Sequence, residues 1–274
     1  MKAKPQHFRK LLQQGTVVMP GVFNAYSALL AEQAGFQAYY ISGAGLANAE
    51  FARPDIGLTT CAEAQEHARR IDAAVGIPGI SDVDTGFEDE ACMMQSFQIA
   101  GLAGVHMEDQ VDQKKCGHLE GKQLVSVDEM CERIHRAQQA KTDADFLLIA
   151  RTDAAAVEGF DAAVSRAKAY VKAGADAVFP EAMRSEEDFK AMRKAIDVPL
   201  LANMTEFGKT PYYSVSQFEQ WGYNMVIFPM TLFRVVAKSM QEALAELRST
   251  GTQKGFLDTM QTREDLYKTL KYIP

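Results

Sequence analysis

Short apolar stretches recur along the chain, and each is followed by a segment in which apolar positions have helical spacing. The apolar stretches are rich in β-branched residues, which favours strands. They cover residues 17–23, 38–42, 79–84, 104–108, 146–151, 177–181, 200–205 and 225–229. The helical segments between them cover residues 25–34, 62–74, 90–100, 127–140, 161–173, 186–195, 215–221 and 232–249. The pattern predicts eight successive β–α units.

Such nearly continuous apolar strands are typical of a parallel sheet whose two faces are both covered. Eight units favour a closed (β/α)8 barrel of the TIM type. An open doubly wound sheet is the alternative, but no G-x-G-x-x-G sequence follows the first strand. Ser126 with Glu129 predicts a capping box, and Ser185 predicts a further N-cap. We expect one domain over residues 1–274, with a helical tail from about residue 251.

The composition narrows the class of protein. The 274 residues are 47% hydrophobic and carry a net charge of -7, so a nucleic-acid partner is not expected. The N-terminus leads into a polar helix, and no apolar run reaches membrane-spanning length, so we expect a cytoplasmic protein without a membrane partner. The four cysteines form no C-x-x-C pair and are expected to be reduced. Of these, Cys61, Cys92 and Cys131 fall in predicted helices as small buried thiols.

Polar residues stand where the predicted strands end, which is where a parallel barrel places its active site. Asp82 and Asp84 are two positions apart, so on an ideal strand both carboxylates point to one face, and Glu108 follows the neighbouring strand. Oxygen ligands of this kind suit Mg²⁺ or Mn²⁺. The alternative interpretation is a carboxylate cluster paired with Arg151.

A long fourth loop, residues 110–125, is predicted to act as a lid over the mouth of the barrel. Within it, Lys114, Lys115 and His118 surround Cys116 with positive charge, which favours a thiolate or a proton-donating thiol. Arginines bind carboxylates with two parallel hydrogen bonds. The arginines best placed for that purpose are Arg151, Arg234 and Arg263.

The run Lys114-Lys115-Cys116-Gly117-His118 resembles the active-loop motif of the isocitrate lyase and phosphoenolpyruvate mutase superfamily. Further blocks agree in order and spacing, among them Ser42-Gly43-Ala44-Gly45, Asp82-Val83-Asp84-Thr85-Gly86-Phe87, Ala150-Arg151-Thr152-Asp153-Ala154 and Asn203-Met204-Thr205-Glu206-Phe207-Gly208. The resemblance implies a Mg²⁺-dependent lyase that cleaves a carbon–carbon bond of a small di- or tricarboxylic hydroxy acid. It also implies a homotetramer that exchanges C-terminal helices. The chain ends at Pro274 where such relatives continue, so the extent of this exchange is left open.

The same resemblance assigns roles to individual positions. It implies that Asp82, Asp84 and Glu108 form the metal site and that Cys116 is the catalytic acid, with His118 beside it. It implies substrate contacts by Ser42, Gly43, Ala44, Gly117, Arg151, Glu181, Asn203, Thr205, Arg234 and Arg263. Tyr40 is a candidate base, although a packed barrel aromatic is an equal explanation, and the role of Asp55 is open. Phe179 stands where lyases restricted to isocitrate carry a bulkier aromatic, which leaves room for a methyl group on the substrate.

Other functions stay open at this point. Within the superfamily these are a phosphonate mutase, an oxaloacetate-acting enzyme and a dimethylmalate lyase. A metal-free aldolase would use Lys114 or Lys115 as a Schiff-base amine, but lysines on a polar loop are not expected to have the apolar burial that such an amine needs. A barrel that binds a metabolite without turnover is the non-enzymatic alternative.

Overall fold

The computed structural model describes residues 4–112, 114 and 121–273. All eight predicted strands are present: β1 (Val17–Val22), β2 (Tyr39–Ile41), β3 (Gly79–Asp82), β4 (Gly104–Glu108), β5 (Leu147–Thr152), β6 (Ala177–Pro180), β7 (Leu201–Asn203) and β8 (Met225–Phe228). The helices are α1 (Lys4–Gln14), α2 (Ala25–Gln33), α3 (Gly43–Phe51), α4 (Cys61–Ala73), α5 (Glu90–Ile99), α6 (Val127–Ala140), α7 (Ala154–Val157), α8 (Phe160–Lys172), α9 (Glu186–Ala195), α10 (Val215–Gln220), α11 (Thr231–Thr250) and α12 (Arg263–Thr269). A 3-10 segment, Lys254–Thr259, precedes α12.

The strands form one parallel barrel, as the alternation of strands and helices predicts. Hydrogen-bonded neighbours follow the order β6-β5-β4-β3-β2-β1-β8-β7. A parallel bridge between Val178 and Leu200 joins β6 to the segment that enters β7 and brings the two ends of this order together. The carboxyl ends of all eight strands therefore open at one end of the barrel, where the polar residues predicted for the site follow them.

Two layers of apolar side chains hold the barrel together. One group lies inside it and includes Met19, Ile80, Ile149 and Ile227, which are all nearly inaccessible to solvent. Phe8 of α1 belongs to this inner group, so the N-terminal helix packs on the same core. The other layer lies between strands and helices and accounts for most of the remaining buried apolar side chains. This rigid scaffold fixes where each strand ends.

Several local expectations need correction. Strand β3 ends at Asp82, and Asp84 has a φ of 50°, so the spacing of an ideal strand does not describe this pair. Helix α3 was not predicted; it begins directly after β2, and its N-cap Ser42 accepts a hydrogen bond from the backbone N–H of Gly45. Ser126 does cap α6, but the Glu129 side chain pairs with Arg133 instead of completing a capping box.

The expectation that three cysteines are small buried thiols is wrong in its burial. All three lie in helices, but Cys92 is exposed and Cys61 and Cys131 are only partly buried. The described cysteines are free, as predicted. The described helices include none with the length and apolar character that a bilayer crossing requires.

Gly21 allows the ends of β1 and β8 to approach closely. A β-carbon at this position would overlap the backbone carbonyl of Pro229, which has little freedom to move in the barrel wall. We predict that Gly21→Ala lowers the free energy of unfolding by about 3 kcal/mol through this overpacking. Urea denaturation measures it. Gly76→Ala is the control, because its β-carbon would meet only the flexible Glu32 side chain at 3.3 Å, and an equal loss in both variants would contradict the explanation.

Candidate active site at the carboxyl ends of the strands

The centre of the site is the aspartate pair Asp82 and Asp84. Asp82 ends β3, and Asp84 lies two residues further along the chain. Asp82 Oδ2 accepts a 3.3 Å hydrogen bond from the backbone N–H of Gly43, and Asp82 Oδ1 accepts one of 3.0 Å from the N–H of Asp84. A β-carbon on Gly43 would lie 3.0 Å from Asp82 Oδ2 and 3.2 Å from Asp84 Oδ1. The two carboxylates therefore converge on the start of α3, although the chain has already left the strand at Asp84.

Lys114 brings a buried positive charge to this pair. Its ammonium group lies 2.7 Å from Asp55 and also forms an ion pair with Asp84. Burial lowers the pKa of Lys114, but Asp84, Glu108 and Asp55 outweigh it and raise this pKa well above its ordinary value. The expectation that this lysine lacks burial is wrong. Its amine is nevertheless held in the charged form, which cannot act as the nucleophile of a Schiff base.

The two aspartates differ in how readily they ionise. Burial raises the pKa of Asp84 to about 6, and the opposing effect of Lys114 does not cancel it. Burial also raises the pKa of Asp82, but His106, Lys114 and Arg151 outweigh it and leave this pKa below its ordinary value. The pKa values of these two neighbouring carboxylates move in opposite directions. A further positive charge would therefore stabilise the state in which both are ionised.

The residues present fit a magnesium ion held mainly by two carboxylates. Mg²⁺ commonly takes one or two protein carboxylates and completes its shell with waters and substrate oxygens. The described residues contain no group of three or more His, Cys, Asp or Glu side chains arranged to hold a metal. Glu108, the third predicted ligand, lies 3.2 Å from Arg151 and accepts a hydrogen bond from Gln110. The three-ligand set therefore stays a prediction, and Asp82 and Asp84 are its best-supported members.

Arg151 lies beside this pair and is almost completely buried. Its guanidinium group contacts Glu108 and Asp153, and its Cζ stands 5.1 Å from the centre of the Phe179 ring. The alternative interpretation, a carboxylate cluster paired with Arg151, thus describes Glu108 but not Asp84, which pairs with Lys114. A buried arginine at the end of β5 is placed to bind a carboxylate that enters the mouth.

A family comparison agrees with this geometry. The family model described as phosphoenolpyruvate phosphomutase matches residues 8–248, which is most of the chain. The chain belongs to the phosphoenolpyruvate mutase/isocitrate lyase family. The prediction made from the active-loop motif and the strand-end blocks is confirmed.

Curated members of this family are similar over most of their length. The chain is 49% identical to a probable 2-methylisocitrate lyase of Corynebacterium glutamicum, over 93% of this chain and 84% of the relative. It is 46% identical to the 2-methylisocitrate lyase of Bacillus subtilis, over 97% of this chain and 88% of the relative. The protein is therefore an enzyme of the lyase class within the family.

Solved structures of the family confirm the barrel. A 2,3-dimethylmalate lyase superposes with a TM-score of 0.93 at 34% identity, covering 98% of this chain and 92% of that chain. A phosphonopyruvate hydrolase in complex with oxalate and Mg²⁺ superposes with a TM-score of 0.87 at 28% identity, covering 98% of this chain and 95% of that chain. The predicted (β/α)8 architecture is thus shared with enzymes of several activities.

Sequence reasoning assigned no role to His106, a buried polar residue on β4. Tyr40 and His106 are joined by a 2.6 Å hydrogen bond between the hydroxyl and Nε2, and the same nitrogen lies 3.7 Å from Asp82. Burial lowers the pKa of His106 to about 4 and raises that of Tyr40 well above its ordinary value, so both are uncharged at neutral pH. Burial thus opposes the predicted base role of Tyr40. The signal for His106 was its spacing of two from Glu108 on one strand.

The remaining predicted contacts lie on both sides of the mouth. Asn203 donates hydrogen bonds of 3.2 and 3.3 Å to the two carboxylate oxygens of Glu181. Arg234, near the start of α11, lies 3.4 Å from Glu206, another residue that sequence reasoning did not single out. Thr205, two residues after β7, and Ala44, in the first turn of α3, are partly buried.

Two groups of predicted residues are not joined to this site. Arg263 is exposed at the start of α12, which packs against α2, where the Gln33 side chain donates a 2.7 Å hydrogen bond to the carbonyl of Thr269. Cys116, Gly117 and His118 lie outside the described residues, as does Lys115. The catalytic and substrate-binding roles of these residues stay predictions.

Gly43 provides a direct test of the aspartate pair. We predict that Gly43→Ala weakens Mg²⁺ binding about tenfold, a loss of about 1.4 kcal/mol, because the methyl group crowds the oxygens of Asp82 and Asp84. Calorimetric titration with MgCl₂ measures the affinity. Gly45→Ala, on the same helix, is the control, since its nearest contact would be an ordinary 3.4 Å. Equal Mg²⁺ affinities in both variants would contradict the assignment of Asp82 and Asp84 as the Mg²⁺ ligands.

Proposed function

We propose that the enzyme cleaves 2-methylisocitrate into pyruvate and succinate, with Mg²⁺ as its cofactor and Mn²⁺ as an alternative. The observation that carries this proposal is the convergence of Asp82 and Asp84 beside buried Arg151 at the barrel mouth. Curated relatives named 2-methylisocitrate lyase support the substrate, and the Mg²⁺ complex of a related hydrolase supports the metal. The activity would belong to propionate breakdown through the methylcitrate cycle, in the cytoplasm.

The reaction breaks the bond between a carbinol carbon and a carbon next to a carboxylate. A divalent cation held by Asp82 and Asp84 would supply a Lewis acid that makes the substrate hydroxyl more acidic and favours the developing carbonyl. Arg151 binds a carboxylate of the substrate, and Asn203 and Thr205 donate hydrogen bonds to another. These contacts hold the bond that breaks in one orientation, which supplies much of the rate enhancement.

Two proton transfers complete the chemistry. A base removes the hydroxyl proton, and Tyr40 stays the candidate for it although its burial favours the neutral phenol. The succinate fragment leaves with carbanion character on the carbon next to its carboxylate. Cys116 then donates a proton to that carbon, with His118 beside it in the sequence. The low solvent exposure of Asp82, Glu108 and Arg151 limits the water that reaches the region where the carbanion forms.

Substrate choice is proposed to depend on the wall that Phe179 forms. The ring is fully buried and is held edge-on against His106, with ring centres 5.3 Å apart, and beneath Arg151. A fixed wall of this size leaves space for the methyl group that distinguishes 2-methylisocitrate from isocitrate. One methyl group contributes about 1–3 kcal/mol of discrimination, so slower cleavage of isocitrate is expected.

The activity can be tested directly. We expect the purified enzyme with Mg²⁺ to release pyruvate and succinate from 2-methylisocitrate, faster than it cleaves isocitrate or 2,3-dimethylmalate, and to stop when EDTA is added. Cys116→Ser should lower kcat by about 100-fold or more, because a hydroxyl is a far weaker acid than a thiol. Cys92→Ser is the control, since Cys92 is exposed on α5.

The outcomes separate the candidate functions. Faster turnover of 2,3-dimethylmalate would replace the proposed substrate with that of the structural relative. Activity that survives EDTA together with borohydride trapping of a keto acid would favour a Schiff-base aldolase. No pyruvate from any of the three hydroxy acids would end the lyase proposal for these substrates.

We also propose that the enzyme is a homotetramer in which C-terminal helices are exchanged. Helix α11 has 20 residues and none of them is buried, although it follows β8 and would be the eighth helix of the barrel coat. Beside it lies an apolar groove of about 850 Å³ whose walls include Phe36, Leu30, Val236 and Met240. An α11 helix from a second copy would cover this apolar surface. Such an exchange would also place the exposed Arg263 near the active site of a neighbouring subunit.

Met240→Glu tests this assembly. A charge in the groove should oppose burial of the apolar face, so we expect a smaller species than the wild-type tetramer in light scattering at equal concentration. Lys238→Glu is the control, because Lys238 pairs with Glu242 on another face of the same helix. A monomeric wild-type protein, or the same mass for all three proteins, would contradict the exchange.

A further inference from the structure

A buried lysine stands in the fourth loop, two positions after the part that lies outside the described residues. Lys122 is only 6% exposed, and its Nζ donates a 2.6 Å hydrogen bond to Oδ1 of Asp153, whose own exposure is zero. Neither residue belongs to the metal pair or to the predicted substrate contacts. A lysine is seldom buried to this degree unless its charge is matched, so this pair calls for a physical explanation.

Asp153 links Lys122 to Arg151. Its Oδ2 accepts a 2.9 Å hydrogen bond from Nε of Arg151, and its Oδ1 accepts one of 3.3 Å from Nη2. This two-pronged contact fixes one edge of the guanidinium plane. The opposite nitrogen, Nη1, then points to Glu108 at 3.2 Å, while the Phe179 ring lies against the face of the same plane. Asp153 therefore sets the orientation of Arg151.

Asp153 needs a cation other than Arg151 to remain in place. Its backbone N–H donates a 2.9 Å hydrogen bond to Asp109, and burial together with the negative charge of Asp153 raises the pKa of Asp109. Asp109 is held by the hydroxyl groups of Thr152 and Tyr170, at 2.7 and 2.8 Å, and lies 3.6 Å from Arg166. Lys122 supplies positive charge directly to Asp153 Oδ1, the oxygen that also accepts from Arg151.

We infer that Lys122 is a positioning residue of this enzyme, which acts through Asp153 to hold Arg151 in the orientation that binds a substrate carboxylate. The inference rests on the proposed function only in that Arg151 is taken to contact the substrate. Without the ammonium group, Asp153 faces Asp109 with Arg151 as its one remaining direct ion-pair partner among the described residues. The guanidinium group would then shift toward Asp153 and away from the mouth.

A partly buried lysine offers a control with the same arrangement of charges at the other end of the barrel. Lys141 lies 3.0 Å from Asp176, which also forms a 2.8 Å ion pair with Arg9. The charge arrangement, lysine to aspartate to arginine, is the same as that of Lys122, Asp153 and Arg151. Asp176 immediately precedes β6 and so stands at the end of the barrel opposite to the active site. Removing this lysine perturbs stability without reaching Arg151.

The test compares Lys122→Met, Lys122→Gln, Lys122→Arg and Lys141→Met with the wild-type enzyme. Urea denaturation should show that both methionine variants are less stable than wild type. We expect only Lys122→Met and Lys122→Gln to raise KM for 2-methylisocitrate and to weaken succinate binding, by about 10-fold to 100-fold. Lys122→Arg should recover most of the wild-type KM because it returns a positive charge to Asp153.

The readouts keep the inference separate from the proposed reaction. Succinate affinity, measured by calorimetry, reports on Arg151 even if the wild-type enzyme does not cleave 2-methylisocitrate. If Lys122→Met does not fold, Lys122→Gln decides, since the glutamine amide removes the positive charge but keeps a hydrogen-bond donor. Wild-type KM and succinate affinity in the folded Lys122 variants, or equal changes in Lys141→Met, would overturn the positioning role.

Discussion

Burying carboxylates at the barrel mouth is the constraint on which the rest of this structure depends. Asp82, Asp84 and Glu108 are each less than a tenth exposed, and each would lose most of its hydration if it ionised there alone. Two buried cations, Lys114 and Arg151, lie among these carboxylates and form ion pairs with them. The buried carboxylates and cations depend on one another, because removing one partner leaves an unpaired buried charge and costs several kcal/mol of stability.

The barrel makes this concentration of charge tolerable. Parallel strands end at one rim, so side chains from distant parts of the sequence meet there without any long loop having to be ordered for the purpose. The backbone contributes as well: the start of α3 donates the Gly43 N–H to Asp82, and the absence of a side chain on Gly43 leaves room for both aspartates. The apolar layers beneath hold these groups in place, which keeps the rearrangement needed during a reaction small.

Much of this could be predicted from the sequence, because it depends on periodicity. The strand spacing located every strand, and the polar residues after the strands located Asp82, Arg151 and Glu181 at one end of the barrel. Local backbone geometry could not be predicted in the same way. Asp84 adopts a φ of 50°, which aspartate tolerates but periodicity does not encode.

Partners across the fold were the harder part. Nothing near Lys114 in the sequence indicates that it pairs with Asp55 and Asp84, since the contact exists only after the fourth loop meets the ends of other strands. The burial of His106 was detectable from its parity with Glu108, but its hydrogen bond to Tyr40 depends on a strand two places away in the barrel. Long-range pairing of this kind follows from the folded geometry and not from the local pattern.

The balance of charge at the mouth also determines what can bind there. Asp84, whose pKa is raised to about 6, and Glu108, whose pKa lies well above its ordinary value, show that the cations present do not fully stabilise the ionised carboxylates. A di- or tricarboxylate that approaches Arg151 adds negative charge to the same region. A divalent cation at Asp82 and Asp84 and an anion at Arg151 would therefore each increase the affinity for the other, and this coupling must be equal in both directions. An acidic mouth can thus favour an acidic substrate, provided that the cation and the anion bind together.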